Sequence, residues 1–104
     1  MIKFKISQGT ENFNDAKTIR EIVFVNEQHF EYEFNEIDKT AFHVVAYENE
    51  KPVACARFFK EDKQYIIGRI AVLKEQRGKG LGAKVVQYCE EKIASLGGSH
   101  ISIS

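Results

Sequence analysis

The chain has 104 residues, is 43% apolar and 29% charged, and sets fifteen basic side chains against fifteen acidic ones. That composition suits one globular domain of modest size, and the zero net charge offers no global field for nucleic acid or an anionic membrane. No stretch approaches the roughly 20 apolar residues of a membrane span, and Met1-Ile2-Lys3-Phe4-Lys5-Ile6 alternates instead of running continuously apolar as a signal peptide does. A cytoplasmic protein with neither nucleic acid nor membrane as partner is the expectation.

Ile2, Phe4 and Ile6 face one way with lysines between them, the period of a half-buried strand that Ser7 to Gly9 ends. Asn12 or Asn14 is placed to cap a helix whose inner face carries Phe13, Ala16, Ile19 or Arg20, Val23 and Glu27. At Ile22-Val23-Phe24-Val25 the run is apolar all round, which predicts burial on more than one side. Glu27 to Asp38 reads as an acidic, aromatic connection, with Glu27, Glu31, Glu33, Glu36 and Asp38 interleaved with Phe30, Tyr32 and Phe34.

Ala41 to Glu48 and Val53 to Lys60 read as strands joined by a hairpin at Asn49-Glu50-Lys51-Pro52, and Glu61-Asp62-Lys63 turns the chain into a third, Tyr65 to Val72. Leu81, Val85, Cys89, Ile93 and Leu96 mark one face of a helix of about four turns, closed by Gly97-Gly98. Ser99 to Ser104 begins another strand. The expected fold is therefore α/β with a mixed sheet: an antiparallel meander, then a β-α-β unit whose last two strands run parallel. The chain is expected to be one domain over 1–104, cut at its C-terminal end, because a strand stopping at Ser104 leaves a sheet edge uncovered. Cys55 and Cys89 sit in apolar patterns and offer either a disulfide or, the commoner case in a reducing cytoplasm, two buried free thiols. No cysteine or histidine cluster suggests a metal.

The loop Arg77-Gly78-Lys79-Gly80-Leu81-Gly82 bears the chemistry. Three glycines at a helix start strip side chains from unpaired amides that, with the helix dipole, attract phosphate; Arg77, Lys79 and Lys84 add positive charge. A Walker loop fails because Gly80, not Ser or Thr, follows Gly78-Lys79. The dinucleotide pattern matches as a string, but five residues separate it from the strand and no acid lies between Gly98 and Ser104, where the ribose partner belongs. A plain connecting turn is the remaining alternative, though it needs fewer glycines.

The spacing R-x-x-G-x-G, here Arg77, Gly80 and Gly82, resembles the coenzyme A loop of the GNAT superfamily of N-acetyltransferases. Ile70 to Gly82 resembles that family's strand, loop and helix start at full length. Arg20 to Gln28 and Cys55-Ala56-Arg57-Phe58 are similar to its ElaA-like branch. The resemblance implies that the amides of Arg77, Gly78, Lys79, Gly80, Leu81 and Gly82 bind the pyrophosphate of acetyl-coenzyme A as cosubstrate. It implies too that the backbone of Ile70, Ala71 and Val72 holds the pantetheine arm, with an amide near Val72 polarising the thioester carbonyl. An amine then attacks directly.

In the fold's plan Glu27 and Glu33 flank the acceptor groove, with Glu31 between them, against the plain alternative of a solvated acidic loop. The glutamate base of some relatives is missing near Ile66 and Ile67, and the tyrosine acid belongs to a helix after the strand starting at Ser99. His29, His43 and His100 are isolated in sequence. No catalytic residue is assigned, and the acceptor is an unspecified amine, small molecule or peptide. The alternatives are a coenzyme A-binding module without turnover, and an interaction protein that exchanges its terminal strand, giving a homodimer.

Overall fold

The computed structural model describes residues 2–9, 12–28 and 36–103. Among these, five strands form one sheet in the order β1 (Ile2–Gln8), β2 (Phe42–Glu48), β3 (Lys51–Glu61), β4 (Gln64–Val72) and β5 (Ile101–Ile103). The first four are antiparallel and β5 runs parallel to β4, which is the expected meander and β-α-β unit. The hairpin between β2 and β3 is tighter than expected, since Lys51 and Pro52 belong to β3. Asn49 and Glu50 alone make the turn, with φ of 51° and 71°. Positive φ at both central residues is the geometry that matches the twist of a two-residue hairpin.

Side-chain alternation divides the sheet into two faces. On one, the Cys55 thiol approaches the Ala16 carbonyl of α1 (Phe13–Arg20), and the Tyr47 hydroxyl donates to Asp15 at 2.6 Å. On the other, Phe4 stacks on Tyr88 of α2 (Leu81–Ser95) at 4.3 Å, and Lys92 lies over Phe42. The sheet is thus the middle of three layers. Leu81, Val85, Cys89 and Ile93 are the buried stripe of α2, as their spacing predicts; Leu96, at the helix end, is exposed.

Gly97, at φ +83°, closes α2. Its amide donates to the Ala94 carbonyl and that of Gly98 to Ile93, the paired bonds of a Schellman cap.

The first helix departs from its expected form in two ways. Asn12 stands at the cap position, yet its side chain makes no cap bond. Its amide nitrogen instead donates to the carbonyls of Lys5 and His43, at 3.4 and 3.3 Å, and so ties β1 to β2. Beyond Arg20 the chain continues as a π-helical turn, Glu21–Glu27, with the Gln28 amide bonded to Val23. Ala16, Ile19, Arg20 and Val23 are buried as the periodicity predicts. Burial on several sides of 22–25 is corrected: Val23 is enclosed, but Ile22 is 41% exposed.

Candidate functional site

Strand β4 is bent where it matters. Cys55 opposes Ala71 and Arg57 opposes Gly68, so two residues, Arg69 and Ile70, face Ala56 alone. This is a β-bulge. Arg69 takes φ +52° to make it, a costly conformation for a residue with a Cβ and one that gathers at functional sites. On its other side β4 pairs with β5 only through Tyr65, Ile66 and Ile67 among the described residues. The half of β4 after the bulge has no strand partner on that side among the described residues. The Leu73 amide bonds back to Val53 on β3, so strand alternation turns the N–H and C=O of Val72 toward that side.

After Val72 a short 3-10 turn, Lys74–Gln76, leads into the glycine loop. Gly78 and Gly80 sit at φ +85° and +77°, and nothing lies within 4 Å of where either Cβ would be. These glycines are required by backbone conformation, and the space over them is open. Gly80 is the N-cap of α2 with no side chain capping it; the first helical bond runs from the Lys84 amide to the Gly80 carbonyl. The amides of Leu81, Gly82 and Ala83 precede that bond and have no intrahelical partner. A row of such donors at the positive end of a 15-residue helix fits a pyrophosphate. Gly82 is different: its Cβ would meet Val72 Cγ2 at an ordinary 3.7 Å, so helix and strand touch there.

The loop is braced from behind. Lys79 donates to the Gln76 side chain at 3.2 Å, and Gln76 to Glu48 at the end of β2 at 2.9 Å. Gln76 is buried and was not singled out from sequence, because its partner lies 28 residues away.

Arg77 is held on three sides. Its Nε donates to the Val72 carbonyl at 3.0 Å, while Nη1 and Nη2 grip both oxygens of Glu27 at 2.7 and 3.0 Å. Two residues expected on opposite sides of the site, cofactor and acceptor, are therefore bonded to each other. The Arg77 guanidinium holds the Glu27 carboxyl below its ordinary 4.5. Glu31 and Glu33 lie outside the described residues, as does His29.

Asp38 corrects the picture of a solvated acidic connection. Its carboxylate is buried and accepts from Arg20 Nη1 at 2.8 Å, Arg20 Nη2 at 3.1 Å and Arg57 Nη1 at 3.0 Å. The Asp38 carbonyl accepts from His43 Nε2 at 2.9 Å, which fixes that ring's tautomer. Burial lowers the His43 pKa below 6.5, with Arg20 and Arg57 adding to the effect and the Asp38 bond opposing it. This histidine is a neutral core residue. Desolvation likewise pushes the Cys89 thiol up to about 12, out of nucleophilic range. Tyr47 is raised above 10 by burial and by its bond to Asp15.

Among the described residues no group of three His, Cys, Asp or Glu is arranged to hold a metal, and no helix is long and apolar enough to cross a membrane. A surface recess of about 770 Å³ lies over Lys3, Lys5 and Tyr47 and includes no residue of the glycine loop.

The model of the acetyltransferase (GNAT) family matches residues 10–104. The chain belongs to the GNAT acetyltransferase family. It is 36% identical over 100 residues to the uncharacterized N-acetyltransferase YjcF of Bacillus subtilis (strain 168), covering 94% of this chain and 71% of YjcF. Its fold superposes on Escherichia coli ElaA with a TM-score of 0.89 at 24% identity, covering 99% of this chain and 77% of ElaA. An acyl-CoA N-acyltransferase from Pseudomonas aeruginosa gives 0.84 at 21% identity, covering 92% and 73%. At these identities the two structures speak for the fold; the family match and YjcF place the chain among acyl-transferring enzymes.

Proposed function

We propose that this GNAT protein transfers the acetyl group of acetyl-coenzyme A to a primary amine by direct attack. The reading rests chiefly on one observation: the uncapped start of α2, with bare glycines at positive φ and open space above them, next to the bulged end of β4. The amides of residues 77–82 would receive the pyrophosphate. The edge formed by Ile70, Ala71 and Val72 would align the pantetheine arm as a neighbouring strand.

Acetyl-coenzyme A supplies the activated thioester. The Val72 N–H, on the side of β4 away from β3, would donate to the thioester oxygen as it gains charge; a preorganised backbone donor of this kind commonly contributes more than any other single group. The amine nitrogen forms a bond to the acetyl carbon, the carbon–sulfur bond breaks, the ammonium proton is lost and the thiolate takes one up. His43, Tyr47 and Cys89 are unsuited to those proton transfers for the reasons above. The acceptor is read as a small-molecule or peptide amine entering from the side of Glu27.

The test is incubation of the chain with acetyl-coenzyme A and a panel of polyamines, aminoglycosides and peptides. Free thiol would be followed alongside product mass. An amine gaining one acetyl group in step with thiol release supports transfer. Saturable acetyl-coenzyme A binding with no acetylated amine would instead favour a binding module.

A further inference from the structure

The Glu27–Arg77 contact spans 50 residues of sequence and joins the end of the π-helical turn to the first residue of the glycine loop. The guanidinium is used on three sides at once, with Nε on the Val72 carbonyl and both terminal nitrogens on one carboxylate. That carbonyl lies on the side of β4 away from β3, where a neighbouring strand would otherwise bond. Arg77 thus fills a backbone acceptor of the candidate cofactor edge and anchors its other end to the segment leading into residues 29–35. The pair is part-exposed, and ion pairs of that kind add little to fold stability. Its geometry, a planar fork matched to a carboxylate with one donor left for the strand, is specific to arginine.

We propose that Glu27 and Arg77 form a positioning clasp that couples cofactor binding to the acceptor side. In this role Glu27 does not bind the acceptor's ammonium, and the Arg77 side chain does not bind the pyrophosphate. A cofactor that orders the loop and the β4 edge would then order the 21–28 segment as well. The inference rests on reading residues 77–82 as the cofactor cradle.

Hydrogen–deuterium exchange with and without saturating coenzyme A tests both separately. In the parent chain coenzyme A should protect the amides of 78–82, and protection of 21–28 should rise by about tenfold, within the ~5–150-fold span usual for coupled sites. Glu27→Ala should keep the loop protection and lose the rise at 21–28. Arg77→Lys should do the same, because an ammonium keeps the charge but cannot serve Val72 and both oxygens together. Baseline protection reports fold stability, whereas the ligand-induced increment reports coupling, so a merely structural role leaves the increment unchanged.

Retention of the increment in Glu27→Ala or in Arg77→Lys would overturn the clasp. So would tighter coenzyme A binding by Glu27→Ala, which would mean that Glu27 competes with phosphate for Arg77. No protection of 78–82 in the parent would remove the cofactor reading and the clasp together. Protection of 78–82 without any at 21–28 would remove the clasp alone.

Discussion

On one face of the sheet, α2 packs through Leu81, Val85, Cys89 and Ile93 and ends in a two-glycine cap. On the other, α1 passes into a π-helical turn, and the packing includes a buried carboxylate, two guanidiniums and a neutral imidazole. The α2 face is held by apolar burial and by backbone bonds between residues near in sequence. The α1 face depends on charges that meet across 18 and 19 residues. The shared Asp38 carboxylate pairs the two buried guanidiniums and so fixes a segment whose polar side chains would otherwise favour solvent.

Removing the centre of the charge cluster should break the contrast most severely. Asp38→Ala leaves Arg20 and Arg57 without their shared carboxylate, and deleting one partner of a buried pair costs about 3–5 kcal/mol. Urea denaturation should show that loss. A fall of a few tenths would mean that the cluster is not what holds the α1 face.

The α2 face has a steric limit at Gly98, where a Cβ would lie 2.5 Å from Ile93 Cγ2 and 2.8 Å from the Tyr65 ring. Gly98→Ala should destabilise by roughly 1–3 kcal/mol, the usual cost of overpacking. Unchanged stability would mean that the junction of α2 and β4 relaxes freely.

The smallest effect should appear in pH dependence. His43 is held below its ordinary 6.5 when folded, so the unfolded chain takes up that proton first as pH falls. Its contribution is full above 6.5 and declines as pH drops below 6.5 toward the folded value. The parent's Tm should therefore fall more steeply with acidification below pH 6.5 than that of His43→Gln. Equal slopes would contradict the assignment of His43 as a buried neutral group.

The same contrast explains what the sequence disclosed. Strand alternation at Ile2, Phe4 and Ile6, the α2 stripe, the glycine loop and the Gly97 cap are all local patterns, and each was legible. The candidate loop is marked in sequence by Arg77, Gly80 and Gly82. Asp38, by contrast, reads only as the last acid of an acidic, aromatic connection, since nothing adjacent in sequence announces Arg20 or Arg57 as its partners. Asn12 read as a helix cap because its competing acceptors, the carbonyls of Lys5 and His43, are brought to it only by the sheet. Glu27 and Arg77 were both singled out, yet their bond to each other was not, and the bulge that forces Arg69 to positive φ has no signature in residue type.

Calorimetric titration with acetyl-coenzyme A, beside Gly80→Asp and an NADH control, tests the central claim most directly. Aspartate at position 80 would sit at φ +77°, fill the open space and set a negative charge against phosphate. The account predicts saturable binding of acetyl-coenzyme A by the parent, none by the variant, and none of NADH. Equal binding by parent and variant, or binding of NADH, would contradict the assignment of residues 77–82 as a coenzyme A cradle.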